Sequence, residues 1–288
     1  MQFDFNNHFS AAGVTNPGQL RENNEDSFLI DAQAGLLVVA DGMGGHQSGE
    51  LASADAIRVM REILLENPTQ SDVTQPASDA GLSHLNGHAL DHVPDSLVPV
   101  DEPGSEASST SGQIRVEAAI ARANHAINNL NQQRGYSPRE AMGTTIVGLY
   151  MQPERPMDAT IFHVGDSRLY LYRDRKLIQI TRDHSAYESW LDNGSNGPAP
   201  GHHVLSQAIG PSDTVAPAIQ ERTFHPEDVI LLCSDGLTNL VSDDHIETIL
   251  ESMDTGDLAD GCHRLVDAAQ SNGGTDNITV VLGLYSTG

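Results

Sequence analysis

Residues 36–50 read LLVVADGMGGHQSGE: five apolar positions run into Asp41, and three of the next four residues are glycine. The pattern recurs elsewhere in the chain. VILLCSDG ends in Asp235–Gly236, TIFHVGDSR in Gly165–Asp166, and GGTDNITVV sets Asp276 immediately before a last apolar run. One carboxylate at a strand end is an ordinary turn residue. Four whose strand ends converge are another matter, because ionised carboxylates at the edge of a core cost several kcal/mol each unless compensated. Lysine and arginine are too scarce nearby to compensate them all, whereas a divalent cation could. The donors are oxygens, with no CxxC pair and no HExxH helix, which favours Mg²⁺ or Mn²⁺ over zinc. Gly42 would let its carbonyl approach such an ion without a Cβ in the way, and Gly44–Gly45 allow turns closed to other residues.

Two cations about 3.5–4 Å apart form the usual device for displacement at a phosphoester. It also needs a positive group for the phosphoryl oxygens. TNPGQLRENNEDSFLI supplies Arg21, whose fork can grip phosphate through two hydrogen bonds, followed by Glu25–Asp26. Taken singly, Arg21 reads equally well as one half of a surface ion pair within its own segment.

These residues need a scaffold. Apolar residues make up 38% and charged residues 19% of the 288, a balance suited to a globular chain with a full core. Forty acidic against 15 basic residues give a net charge of −25, which disfavours nucleic acid as a partner. The N-terminus lacks a basic stretch leading into an apolar one, no apolar run approaches the roughly 20 residues that span a bilayer, and only two cysteines occur. The expectation is a cytoplasmic chain without membrane contact. Leu36–Ala40 predicts a strand buried on both faces, and 49–65 and 114–131 predict helices with one apolar face. GTTIVGLY, ATIFHV, RLYLYR and LIQIT predict four strands, the last two joined by a tight turn near Asp174–Arg175. VILLC and ITVVLGLY predict two more, and SDDHIETIL, with Ser242 as N-cap, and 257–271 predict two late helices. Together they imply one α+β domain of stacked sheets with helices outside.

The motifs now form an ordered set: R-x-x-N-E-D (Arg21 to Asp26), A-D-G-M-G-G-H (Ala40 to His46), G-T-T (Gly143 to Thr145), V-G-D-S-R (Val164 to Arg168), S-D-G-L (Ser234 to Leu237) and D-N-I-T (Asp276 to Thr279). In this order they resemble the bacterial branch of the metal-dependent protein phosphatases of the 2C type. That resemblance implies a four-layer αββα sandwich, two antiparallel β-sheets flanked by helices, with a metal cleft at one end of the sheets. It implies Mg²⁺- or Mn²⁺-dependent hydrolysis of phosphoserine or phosphothreonine in proteins by a hydroxide bridging two ions. It also implies roles. Asp41 would bridge both ions while the Gly42 carbonyl binds one, and Asp235 and Asp276 would complete the direct ligands. Asp26 and Glu25 would hold ion-bound waters, Arg21 would bind the substrate phosphate, and Asp166 would join Asp235 at a third, weaker ion. His46 is the candidate proton donor to the leaving oxygen; its plainer role is a turn histidine that fixes the loop. Bacterial members commonly reverse a serine/threonine kinase, so phosphorylated proteins and a paired kinase are the implied partners.

Some features depart from the family's common form. Residues 66–113 are rich in Pro, Ser, Asp and Gly and read as a flexible insertion, in which His84, His88 and His92 recur every four residues but Gly87 argues against a helix. Residues 183–213 read as a short, irregular flap, with His202–His203 as loop residues within reach of a substrate. Asn239 stands where many relatives carry an acid, which would weaken a third ion. His163 reads as a core histidine with its nitrogen satisfied. Two other functions remain: a catalytically weak pseudophosphatase serving as a binding module, which loss of Asp41, Asp235 or Asp276 would favour, and a hydrolase of small phosphoesters, which a closed pocket would favour.

Overall fold

The computed structural model describes residues 2–6, 8–44, 48–65, 110–137, 140–152, 155–201, 203–254 and 256–286. Two antiparallel sheets carry the site. In the first, β1 (Gln2–Asn6), β2 (Phe9–Asn16), β12 (Ile278–Tyr285), β11 (Val229–Cys233), β8 (Arg168–Arg173) and β9 (Lys176–Gln179) lie side by side in that order. In the second the order is β10 (Ala218–Thr223), β7 (Arg155–Val164), β6 (Ile146–Gln152), β4 (Leu36–Met43) and β3 (Asp26–Asp31), with the short β5 (Gly143–Thr144) paired to the end of β4.

Period-two alternation explains the layering. Along β4, Leu36, Val38 and Ala40 face a core shared with α1 (Ser48–Leu65) and α2 (Ser111–Arg134), while Leu37 and Val39 face a core between the sheets. Along β11, Ile230 and Leu232 join that central core, and Val229, Leu231 and Cys233 turn to α5 (Asp243–Glu251) and α6 (Leu258–Ser271). Strands buried on both faces must be apolar throughout, hence the continuous runs in the sequence. The result is the expected order of layers: helices, sheet, sheet, helices.

Several expectations hold to the residue. Asp174 and Arg175, at φ 52° and 61°, form the tight turn between β8 and β9, as two-residue hairpin turns with positive φ do. The Ser242 hydroxyl accepts from the His245 amide at the start of α5, and the last strand is ITVVLGLY. Others shift. GTTIVGLY divides, because Thr145 leaves the ladder to donate its amide to the Asp41 carbonyl while Gly143–Thr144 pair with β4. The α2 helix begins at Ser111 with a Thr110–Gln113 capping box, so the expected insertion ends a few residues early. Its remainder, 66–109, with His84, His88 and His92, lies outside the described residues. Within 183–213, Ser185 caps the short helix α3 (Ala186–Asp192) ahead of the exposed loop. Strands β1, β2, β3 and β10, and the one-turn α4 (Asp235–Thr238), carried no sequence signal strong enough to be expected. FSAAGVTN is too rich in small residues, and the edge strand AIQERT is too polar. Among the described residues no helix is long and apolar enough to cross a membrane.

One ion pair closes the far side of the sandwich. Arg173 holds Asp228 through Nε–Oδ1 at 2.7 Å and Nη2–Oδ2 at 2.5 Å, and the Asp228 side chain is only 2% exposed. Arg173→Ala would strand that carboxylate, with the His225 amide as its remaining donor. It should lower unfolding free energy by about 3 kcal/mol in urea titrations.

Candidate active site

The site is assembled where the ends of the two sheets meet. Asp26 on β3 and Asp41 on β4 stand directly opposite one another in the ladder. Asp26 also reaches across to the other sheet: its Oδ2 accepts from Ser234 Oγ, after β11, and from Thr279 Oγ1, on β12, both at 2.7 Å. Ser234 Oγ in turn accepts from the Thr279 amide at 3.0 Å. The second oxygen, Asp26 Oδ1, is buried and has no hydrogen-bond partner among the described residues.

Each remaining acid is delivered by a distinct device. Asp41 is held through its backbone: its amide donates to Thr145 Oγ1 at 3.0 Å, and its carbonyl accepts from the Thr145 amide at 2.8 Å. Thr145 Oγ1 and Ser167 Oγ lie 2.7 Å apart, tying this strand end to the 165–167 turn. There Gly165 has φ +103° and lies so close to Thr145 that a Cβ would sit 2.7 Å from the Thr145 Cβ, which is what brings Asp166 to the cavity. Asp235 is the first residue of α4. Asp276 accepts from the Asn277 amide at 2.9 Å through Oδ1 and from Arg21 Nη2 at 2.8 Å through Oδ2. Asn277 staples the Arg21 loop in place, accepting from the Glu25 amide and donating to the carbonyls of Pro17 and Asn23. Arg21 is thus in an ion pair, but with a residue at the opposite end of the chain rather than within its own segment.

Arg21, Glu25, Asp41, Gly42, Asp166, Asp235 and Asp276 all line one cavity of about 750 Å³. Asp26 lies just behind it, 6% exposed. Gly42 lines the cavity, but the tightest demand for glycine there comes from packing: a Cβ would fall 2.2 Å from the Gly49 carbonyl oxygen and 2.6 Å from that of Glu25. Of the histidines singled out, His46 and His202 lie outside the described residues. His203 lines the same cavity from an exposed turn. His163 is a core residue, 4% exposed, with Nε2 2.7 Å from the Arg182 carbonyl and its ring packed on His184. Asn239 donates to Asp235 Oδ2 at 3.0 Å. The hydroxyls of Thr145, Ser167, Ser234 and Thr279 and the amide of Asn277 were not singled out from sequence. Yet they stand inside or beside the same short motifs as the acids, and that adjacency was the signal.

The electrostatics show a cluster of acids short of cations. Withdrawal from water pushes the Asp41 carboxyl well above the usual range, and repulsion from Asp26, Asp235, Asp166 and Asp276 adds to it. Burial raises Asp26 to about 6, against the hydrogen bonds from Thr279 and Ser234 and with help from Asp235 and Asp276. Burial, then Asp235, raises Asp166 to about 7. Asp235 is raised by burial and by Asp276, and lies close enough to Asp41 for the two carboxyls to share a hydrogen bond. Among the described residues, no three His, Cys, Asp or Glu are drawn together tightly enough to hold an ion by themselves. Carboxylates that repel one another would not gather further without a positive charge between them. The all-oxygen donor set and the orphaned Asp26 Oδ1 fit a hard divalent cation that keeps several waters and takes few protein ligands, the habit of Mg²⁺.

A family model described as Protein phosphatase 2C matches residues 19–268. The chain belongs to the protein phosphatase 2C family. It is 34% identical over 276 residues to the serine/threonine protein phosphatase PstP of Mycobacterium tuberculosis, covering 94% of this chain and 44% of that protein. It therefore spans less than half the length of this relative. It is 30% identical to the serine/threonine phosphatase Stp of Listeria monocytogenes, covering 93% of this chain and 92% of Stp. A crystal structure of the M. tuberculosis PstP phosphatase superposes with a TM-score of 0.73 at 30% identity, over 97% of this chain and 100% of that one. The PstP catalytic domain in complex with two manganese ions gives 0.71 at 29% identity, over 97% and 99%. The αββα layering is the fold of this 2C-type family.

The raised carboxyls have a measurable consequence for the cation-free protein. Asp26 and Asp166 in the folded chain keep protons that an unfolded aspartate, with a pKa of about 3.9, has already released. The folded state then binds more protons than the unfolded one, so this contribution lowers stability as pH rises from about 4 to about 7. In EDTA the Tm should fall between pH 5 and pH 7.5, and Mn²⁺ should restore it. Asp41→Asn removes the centre of the repulsion. It should raise the Tm in EDTA at pH 7.5, flatten that pH dependence and weaken the Mn²⁺ response, all readable by scanning fluorimetry.

Proposed function

We propose that this chain is a Mn²⁺- or Mg²⁺-dependent hydrolase of phosphoserine and phosphothreonine in proteins. The observation that carries the reading is the convergence of Asp41, Asp166, Asp235, Asp276 and the cation Arg21 on one cavity. Family membership and the two manganese ions of the PstP complex support it.

In this reading Asp41, the Gly42 carbonyl, Asp235 and Asp276 hold two ions, and Asp166 with Asp235 holds a third more weakly. Asp26 and Glu25 accept hydrogen bonds from ion-bound waters; Asp26 Oδ1 has that capacity spare. When bound, such ions lower the pKa of coordinated water and neutralise charge on the phosphoryl group. The chain's own groups do the rest. Arg21 exchanges its Asp276 oxygen for the substrate phosphate, and its planar fork orients the phosphoryl group for in-line displacement. The Ser234–Asp26–Thr279 tie and the Thr145–Ser167 tie keep the acids in register, so that little reorganisation accompanies the reaction. His46 remains the candidate proton donor to the leaving serine or threonine oxygen. A paired serine/threonine kinase and a cytoplasmic setting complete the reading.

With Mn²⁺ or Mg²⁺ the protein should release phosphate from a phosphothreonine peptide, and EDTA should abolish the release. Asp235→Ala should cost more than about 100-fold in kcat, above what loss of a residue outside the direct ligands costs. Arg21→Lys should raise KM for the peptide, because a point charge replaces a two-pronged grip. Full turnover in excess chelator would overturn the reading. Turnover confined to nucleotides would favour the small-phosphoester alternative, and Mn²⁺ binding with no turnover of any phosphoester would favour the pseudophosphatase.

A further inference from the structure

The cleft is lopsided in charge beyond what ion binding uses. A second cavity of about 220 Å³ shares Arg21, Glu25, Gly44 and Asn277 with the main one and adds Glu22 and Asn23. Among the described residues lining either cavity, Arg21 is the only Lys or Arg. The remaining wall, supplied by 203–215, contributes neutral groups such as Leu205, Gln207, Pro211 and Thr214. Two described cations on adjoining segments are already engaged: Arg182 with Glu188 and Asp192, and Arg168 with Asp183. Three divalent ions would match Asp26, Asp41, Asp166, Asp235, Asp276 and Glu25 charge for charge, and Arg21 would face the phosphate. Glu22 then remains in the lobe beside Arg21, in the field of a chain whose net charge is −25.

We propose that this cleft selects phosphopeptides with basic residues flanking the phosphorylated one and discriminates against acidic flanks. The proposal rests on the phosphatase reading and names the substrate class of that site. An acidic neighbour of the phosphoresidue finds no free Lys or Arg among the described residues of either lobe, and its desolvation goes uncompensated. A basic neighbour enters a cleft of one sign, where field focusing raises local concentration and on-rate by at least about tenfold. Such an effect acts over a Debye length of about 8 Å at physiological salt, so added salt must weaken it.

The test uses three phosphothreonine peptides that differ only in their flanks: arginine, glutamine or glutamate. With Mn²⁺ at low ionic strength, kcat/KM should fall in that order, with about tenfold or more between the extremes. The gap should shrink several-fold in 0.5 M salt, an estimate from charge screening at that ionic strength of roughly half molar. Non-hydrolysable phosphonate forms of the peptides should bind in the same order by calorimetry. Glu22→Arg, and on the separate wall Gln207→Arg, should each narrow the gap in kcat/KM between the arginine and glutamate peptides. Equal turnover of all three peptides, a preference for the acidic one, or an order indifferent to salt would overturn the selectivity and leave the phosphatase reading standing. Failure to turn over even the glutamine peptide would take down both.

Discussion

Like charges held together at the seam of two sheets are the constraint around which this protein is organised. Asp26 and Asp41 face each other across one ladder, and Asp166, Asp235 and Asp276 arrive from turns at the ends of other strands. Among the described residues Arg21 pairs with Asp276, while burial and mutual repulsion push up the carboxyls of Asp26, Asp41, Asp166 and Asp235. Everything around the site resists the tendency of such a cluster to spread. Ser234 and Thr279 of one sheet donate to Asp26 of the other, so an acid raised by burial is also the peg that joins the sheets.

The sandwich makes this possible because its strands are apolar on both faces. A central core and two outer cores hold β4 and β11 without help from their ends, so the ends are free to carry groups that a self-sufficient core would exclude. Rigid strands also set the spacing of the acids more firmly than loops could. Neighbouring segments pack closely on glycine: Gly165 against Thr145, and Gly42 against the backbones of Glu25 and Gly49. At Gly42, room for neighbouring backbone accounts for the residue before any approach to a cation is considered.

The same electrostatics connect stability, ion binding and substrate choice. In a chain of net charge −25, Arg21 is the one Lys or Arg among the described residues that line the cleft. Arg21 is itself held by Asp276, so the phosphate-binding role proposed for it and the ion-binding role proposed for that acid would be linked through one hydrogen bond. The position of Arg21 depends on Asn277, which pins the loop that carries it.

Much of this was legible in the chain alone. Continuous apolar runs ending in Asp41, Asp235 and Asp166 marked strands buried on both faces with an acid at one end, because local pattern and burial share a period of two. Ser242 and the 278–285 strand were legible for the same local reason. The β2 strand, rich in small residues, and the polar edge strand β10 were not, since their pairing comes from neighbours distant in sequence. Nor could local pattern show that Arg21 pairs with Asp276, that Asp26 crosses to Ser234 and Thr279, or that Thr145 leaves its strand to meet Asp41. Residue type and spacing determined which groups could do the chemistry. Which of them touch was decided by the tertiary structure alone, because each such contact joins segments whose separation along the chain carries no information about their separation in space.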